Sequence, residues 1–318
     1  MGVYHISGLG RSPGALTVPL STVYLLQIAH QLGIETAKNF FAYSGEAERK
    51  GSQERTRGQV ECVIAFTSRE VAEGGGLSGC RSKWLNLDFK SGESLENVFG
   101  KFFNKLFDYI EKEFEFRPKK FEFYVVEVKH TNFEDCFTKI GTTMKALVGK
   151  EIWANMIAGT NQTNIAILTA GAYIASVSKY YYIFQSEQQL LDPDWAERPD
   201  RKNIWRLTKL AVENWNEIPI FNLDLGKIIT RLRNEFSEGE IINKGKLEQI
   251  LRDLGLSKDY IPKLRSFLVL KGDIVEKSPL FERLVKLWED LDKKDVKNFS
   301  EWIKWAESEG ILRKVEIF

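Results

Sequence analysis

Short apolar runs separated by stretches of helical periodicity occupy the first 190 residues of the chain. Six of these runs have the length and the β-branched and aromatic composition of strands: 3–7, 60–66, 84–89, 121–128, 151–157 and 179–184. Between them, apolar positions that recur every three or four residues predict helices at 19–32, 94–113, 131–147 and 162–176. This alternation predicts an α/β domain with a mainly parallel six-stranded sheet.

The composition changes in the segment 191–204, where prolines and charged residues are concentrated. Such a segment is typical of a linker, and 318 residues are enough for two hydrophobic cores. We therefore predict one domain at 1–190 and a second domain at 205–318.

Helical periodicity dominates the second predicted domain. Helices are predicted at 246–254 and 258–267, with a short turn at Gly255 between them, and Lys271-Gly272-Asp273 predicts a hairpin afterwards. Helix, turn, helix and hairpin in this order predict a mainly helical, winged-helix-like domain.

The charge balance limits the classes of partner. Forty-five basic and 44 acidic residues give a net charge of +1, which argues against a broad nucleic-acid footprint. The scattered cysteines, Cys62, Cys80 and Cys136, predict reduced core thiols. Because the sequence also shows neither a signal-peptide pattern nor a long apolar run, we expect a cytoplasmic protein without membrane contact.

The loop Gly8–Gly14 follows the first predicted strand. Its glycine spacing is G-x-G-x-x-x-G, and no acidic residue ends a second strand ~20 positions later, so a dinucleotide fold is not indicated. Ala15 and Leu16 follow Gly14 where a Walker A loop has Lys and Ser or Thr. Neither standard phosphate loop matches.

The loop nevertheless offers groups that suit a phosphate. Its glycines expose backbone N–H groups, Arg11 offers a guanidinium and Ser12 a hydroxyl. A second loop, Gly159-Thr160-Asn161, also lies between a predicted strand and a helix. Both loops belong at the carboxyl edge of a parallel sheet, which predicts one site. The alternatives are a tight turn without a ligand and a helix N-cap.

Two motifs resemble those of the CRISPR-associated Rossmann-fold (CARF) proteins. They are V-Y-H-I-S-G-L-G-R-S-P-G at residues 3–14 and the strand–A-G-T-N–helix unit near residue 160, followed by the winged-helix-like tail. The archaeal standalone CRISPR ring nucleases are the most similar group. The resemblance implies a Rossmann-like fold and a homodimer that binds cyclic tetra-adenylate across its two-fold axis. It also implies cleavage to linear di-adenylate with a 2′,3′-cyclic phosphate, which switches off type III CRISPR antiviral signalling.

The resemblance also implies site residues. Ser12 matches the serine placed against the scissile ribose-phosphate. The second family motif often has glycine and lysine where this chain has Ala158 and Asn161, so we expect Lys179 to supply the basic group, with Lys145 as a further candidate. The expected ligand-binding residues are Gly8, Gly10, Arg11, Pro13, Gly14, Gly159, Thr160, Asn161 and Gln162.

No metal or cofactor is expected, because His5, His30 and His130 are scattered along the sequence. The lack of histidine after residue 190 argues against the histidine-dependent ribonuclease domain that many CARF proteins carry.

The main alternative function is a ligand-responsive transcription regulator that binds the ring without cleaving it. Its DNA contacts would be Lys258, Lys263 and Arg265, with Lys271 and Lys277 on the wing. Residues 205–318 contain 21 basic and 20 acidic residues, a net of +1, so a structural role is the favoured interpretation. A metabolic α/β enzyme is a more distant alternative.

Overall fold

A computed structural model describes residues 2–42, 57–174, 176–219, 225–237, 241–265 and 267–317 of the chain. The strands in these ranges are β1 (Val3–Gly8), β2 (Val60–Thr67), β3 (Cys80–Ser82), β4 (Leu87–Phe89), β5 (Glu122–Glu127), β6 (Glu151–Asn155), β7 (Val177–Ile183), β8 (Trp215–Ile218), β9 (Ile241–Asn243), β10 (Leu268–Lys271), β11 (Ile274–Lys277) and β12 (Leu312–Val315).

The α-helices in the same ranges are α1 (Gly14–Gln31), α2 (Glu35–Phe41), α3 (Arg69–Ala72), α4 (Lys101–Phe114), α5 (Phe133–Ala146), α6 (Asn161–Ile174), α7 (Ile204–Asn214), α8 (Leu225–Ser237), α9 (Lys244–Asp253), α10 (Pro279–Asp292) and α11 (Phe299–Ser308). A π-helical turn, Glu96–Gly100, leads into α4, and Lys258–Leu264 is a 3₁₀ helix. Helix α1 begins at Gly14, earlier than the predicted start at Pro19. None of the helices in the described ranges is long and apolar enough to cross a membrane.

The main sheet has the order β12-β5-β2-β1-β6-β7-β8. Its five central strands are parallel, which confirms the predicted α/β class, and the two outer strands are antiparallel. The central strands are buried almost throughout, as expected for a parallel sheet covered by helices on both faces.

The prediction of a six-stranded sheet is wrong in two respects. The main sheet formed by the described residues has seven strands, and the strand predicted at 84–89 does not belong to it. Residues 84–89 turn at Asn86, whose φ of 49° lies in the left-handed region. Only Leu87–Phe89 is extended, and it pairs with β3 in a separate two-stranded sheet. The sheet gains instead β8 and β12, which lie beyond the predicted linker.

The boundary predicted at 191–204 does not separate two independent cores. Leu191 and Asp192 are buried, and Asp192 Oδ2 accepts a hydrogen bond from the backbone N–H of Lys83 at 2.9 Å. Near the other end of the chain, Trp302 is buried against α5 and donates to Thr143 Oγ1 at 2.9 Å. The second region therefore completes the core and the sheet of the first.

The C-terminal region contains the predicted hairpin. Strands β10 and β11 pair around Gly272, whose φ is +63°, and β9 adds to them as an antiparallel third strand. The predicted helix 258–267 is corrected to the 3₁₀ helix Lys258–Leu264, because Pro262 inside it removes a backbone donor. Residue 266 of that prediction lies outside the described residues.

His5 is a buried core residue in β1. Its Nδ1 lies 3.1 Å from the hydroxyl of Tyr181, and its ring packs edge-on against Trp153. Burial disfavours the charged imidazolium and lowers the pKa of His5 to about 3.

We expect His5 to make the protein less stable in acid. Between pH 6.5 and 3 the unfolded chain binds a proton at this residue and the folded chain does not. The free energy of unfolding should therefore fall by about 1.4 kcal/mol for each pH unit below 6.5. Urea unfolding of the wild type and of His5→Asn at pH 7, 6 and 5 measures the effect. Parallel pH profiles for the two proteins would contradict it.

Candidate functional site

The centre of the sheet is a topological switch point. From β1 the chain proceeds outward through β2 and β5 on one side, and then returns to place β6 and β7 on the other side of β1. The loops after β1 and β6 therefore meet at the carboxyl edge of two adjacent parallel strands. In open α/β sheets this crevice is where ligands bind.

Two glycines allow these loops to touch through their backbones. A Cβ on Gly8 would lie 2.5 Å from the carbonyl oxygen of Ala158, and a Cβ on Gly159 would lie 2.8 Å from the Cα of Gly8. Gly159 also has a φ of +85°, which favours glycine. Gly10 differs, because a Cβ there would have open space around it.

The buried side chain of Asn155, at the end of β6, joins three parts of the site. Because Pro19 has no backbone N–H, the carbonyl of Ala15 lacks its usual helical donor. Asn155 Nδ2 donates to this carbonyl at 2.9 Å and to Ser7 Oγ at 3.1 Å. Asn155 Oδ1 accepts from the backbone N–H of Ile157 at 3.2 Å. The hydrogen bond from Asn155 to the Ala15 carbonyl replaces the donor that Pro19 lacks. Helix α1 can therefore contain a proline and still begin at the glycine loop.

A cavity of about 420 Å³ opens at this edge. Its walls come from three places: the glycine loop with the start of α1, residues 157–159, and the end of β7 with the residues after it. Five of the predicted site residues line it: Gly10, Arg11, Ser12, Gly14 and Gly159. The volume lies within the range of small-molecule pockets.

Ser12 and Arg11 both have partners in this structure. Ser12 Oγ donates to the backbone carbonyl of Gln188 at 2.5 Å. Arg11 Nε donates to the carbonyl of Gly76 at 3.1 Å, and its guanidinium lies 3.9 Å from Glu70. The Arg11–Glu70 ion pair is exposed and therefore weak, so an anion in the cavity can compete for the guanidinium. Arg11 is the one charged residue among the described residues that line the cavity.

The other predicted residues in and beside the two loops do not line the cavity. Gly8 and Pro13 are buried and are not among the residues that line the cavity. Thr160 Oγ1 accepts from the backbone N–H of Thr163 at 3.3 Å, which is an N-cap contact for α6. Asn161 and Gln162 are exposed in the first turn of α6 and do not line the cavity.

The placement of Lys179 corrects the expectation that it reaches the ligand. Its Nζ lies 2.7 Å from Glu217 Oε1 and about 5 Å from the rings of Phe40 and Trp153. It also lies at the amino-terminal end of β7, whereas the cavity adjoins the carboxyl end. Its side chain is only 14% exposed, so the ammonium is held inside this aromatic cluster.

Lys145 is likewise remote from the cavity. Its Nζ donates to the backbone carbonyls of Asp292 and Lys294 at 3.1 and 3.2 Å, which secures the end of α10 against α5.

The sequence interpretation missed the segment 185–192, which follows β7 and closes one side of the site. Thr17 Oγ1 donates to the Leu191 carbonyl at 2.7 Å, and a Cβ on Gly14 would lie 2.2 Å from the Leu190 carbonyl oxygen. Glu187 forms ion pairs with Arg81 and Lys83. The strand predicted at 179–184 could have indicated this segment. In a parallel sheet its carboxyl end lies at the same edge as the two loops, so the residues that follow it had to begin there.

Within the ranges that the structure describes, no three His, Cys, Asp or Glu side chains are grouped so that they could hold a metal ion. The described residues that line the cavity supply backbone amides, a hydroxyl, a guanidinium, carboxamides and apolar side chains.

Fold and cavity define an α/β protein with a candidate ligand site at the switch point of its sheet. No family model matches the chain. An uncharacterized protein of Archaeoglobus fulgidus is 48% identical over 320 residues, with 100% of this chain and 98% of that protein covered. The chain belongs to the family of this archaeal protein.

Two solved structures show weaker likeness. Enterococcus italicus Csm6 bound to cyclic hexa-2′-fluoro-hexa-dAMP has a TM-score of 0.34 and 13% identity, over 95% of this chain and 57% of that one. Protein VC1899 from Vibrio cholerae has a TM-score of 0.27 and 10% identity, over 91% and 66%. The chain thus spans less than two thirds of either protein. TM-scores this low do not establish a shared fold or function.

A double-mutant cycle tests the role of Asn155. We expect Asn155→Ala to lower the free energy of unfolding by about 1–3 kcal/mol, because it leaves the Ala15 carbonyl without a donor. Pro19→Ala restores a helical N–H for that carbonyl, so the double variant should lose less stability than the two changes predict by addition. Strict additivity in urea unfolding would contradict this account.

Proposed function

We propose that this chain is a CARF-type protein that binds a cyclic oligoadenylate in the cavity between β1 and β6. The observation that carries the proposal is the meeting of the glycine loop, the 157–159 loop and the end of β7 at the switch point of the sheet. Loop amides and the Arg11 guanidinium suit a phosphate. The open space beside Gly10 lets a ligand approach the backbone closely.

We further propose that two copies of the chain hold one ring. A cavity of about 420 Å³ has room for only part of a cyclic oligonucleotide. Two cavities related by a two-fold axis would present the same groups to equivalent phosphates, which suits a ring with an even number of units. Cyclic tetra-adenylate is the ring implied by the resemblance of residues 3–14 to the ring nucleases.

Cleavage is the finer part of the proposal. The 2′-oxygen of one ribose attacks the adjacent phosphorus, the bond from phosphorus to the 5′-oxygen breaks, and the proton of the 2′-hydroxyl passes to the leaving 5′-oxygen. Each scission leaves a 2′,3′-cyclic phosphate and a 5′-hydroxyl, and two scissions give two linear di-adenylates. Much of the acceleration would come from holding the three reacting atoms in line.

The hydrogen bond that Ser12 donates leaves its hydroxyl oxygen available as an acceptor. Its proton is donated to the Gln188 carbonyl, so Oγ keeps lone pairs with which to accept a hydrogen bond from the ribose 2′-hydroxyl. Arg11 would leave its contact with Gly76 to stabilise the added negative charge on the transition state. No role is assigned to Lys179.

A regulator that binds the ring without cleaving it is the second candidate. The order α8, β9, α9, 3₁₀ helix, β10, β11 favours it, because this is the order of a winged helix. Against it, the segment expected to contact DNA is a short 3₁₀ helix, and the region has a net charge of only +1. The packing of this region on α5 and β5 suits a structural role.

The activity test is incubation of the full chain with labelled cyclic tetra-adenylate in EDTA. We expect linear di-adenylate with a cyclic phosphate, and a rate reduced about 100-fold or more in Ser12→Ala, because the 2′-hydroxyl loses the group that positions it. Ser308→Ala is the matched control, since that hydroxyl bonds to Trp305 on α11. Binding without cleavage would favour the regulator, and the absence of binding would overturn the proposal.

The free space at Gly10 gives a second test. We expect Gly10→Val to change the free energy of unfolding by less than about 0.5 kcal/mol, because a Cβ there meets nothing. The same change should weaken ring binding about 5- to 150-fold by occupying ligand space. Gly159→Ala should instead destabilise the fold by about 1 kcal/mol or more, because its φ is +85°. Unchanged affinity in Gly10→Val would place the ligand elsewhere.

A further inference from the structure

We infer that Phe184 and Gln188 form an adenine-recognition subsite, in which the phenyl ring stacks on the base and the carboxamide bonds to its edge. The inference rests on the proposed function, because it names the residues that select the base at the same cavity. Both residues line that cavity, and neither belongs to the motifs that carry the resemblance.

Phe184 is unusually exposed for its position. It directly follows Ile183, which is buried in β7, yet its own side chain is 65% exposed. Ile157, which lines the same cavity from the other loop, is 37% exposed. Large apolar side chains beside a polar cavity lose their unfavourable contact with water when a flat base covers them. Stacking on an aromatic ring is a recurrent way in which proteins hold an unpaired base.

Gln188 combines a fixed backbone with a free side chain. Its carbonyl accepts the hydrogen bond from Ser12. The segment around it is held by Gln185 Nε2, which donates to the Glu187 and Leu190 carbonyls at 2.8 and 2.9 Å. The Gln188 side chain is exposed at the cavity, and none of the hydrogen bonds between described residues involves its carboxamide. The cavity thus has a solvent-exposed amide donor and acceptor on a segment that is held by backbone hydrogen bonds.

A carboxamide matches the edge of adenine better than that of other purines. Adenine presents an N6 amine that donates and an N7 that accepts, and glutamine can pair with both at once. Hypoxanthine and guanine have acceptors at both O6 and N7, so in either orientation of the amide the carboxamide oxygen would face an acceptor. Base selection at this site would therefore depend on Gln188, and stacking by Phe184 would contribute affinity without selecting strongly among bases.

The experiment measures the affinity of the full chain for two non-cleavable rings, cyclic tetra-2′-fluoro-adenylate and its inosine counterpart. Phe184→Ala should weaken binding of both rings about 5- to 150-fold, and Phe184→Trp should retain affinity. Trp205→Ala is the matched control, because Trp205 is 64% exposed and does not line this cavity.

Gln188→Ala should remove the preference for adenine over hypoxanthine, which we expect to be about 5- to 150-fold in the wild type. The control is Gln189→Ala, since Gln189 is exposed next to Gln188 but does not line the cavity. A preference that survives in Gln188→Ala, or full affinity in Phe184→Ala, would overturn the inference while leaving ring binding intact. A wild-type chain that binds neither ring would overturn the proposed function as well.

Discussion

The close approach of β1 and β6 at their carboxyl ends is the constraint on which the rest of the site depends. Gly8 and Gly159 permit backbone contact that no side chain would allow. Asn155 then connects β6 to the start of α1 and to the 157–159 loop. The part of the site between these strands is therefore built largely from main chain that is held by strands and a helix.

The chemistry of the cavity follows from this arrangement. Among the described residues that line it, Arg11 is the one charged side chain, and the others supply backbone, hydroxyl, carboxamide and apolar groups. Such a set suits a ligand with a flat base and a single nearby phosphate. The carbonyl of Gln188 accepts the hydrogen bond that Ser12 donates, so the serine oxygen can accept a hydrogen bond from a ribose. Gln188, which follows β7, thus orients the Ser12 hydroxyl and also forms part of the wall that would contact the base.

The sequence predicted the parts of this architecture that local patterns determine. The central parallel strands are buried on both faces and form apolar runs, and the two loops follow from their position after strands. Strands β8 and β12 are only four residues each and pair at the sheet edges through contacts distant in sequence, so no local pattern marked them. Lys179 was expected at the site because it starts the strand after the second loop, whereas its neighbours are Glu217 and two aromatic rings. Phe184 and Gln188 belong to no sequence motif. They reach the cavity only through the course that the chain takes after β7 in the folded protein.

Hydrogen–deuterium exchange of the full chain, with and without cyclic tetra-2′-fluoro-adenylate, tests most directly whether this cavity is the binding site. Backbone amides in the glycine loop, at 157–160 and at 184–190 should exchange more slowly when the ring is bound, because these segments line or adjoin the cavity. Slower exchange confined to the C-terminal region, with the two loops unchanged, would contradict the central claim.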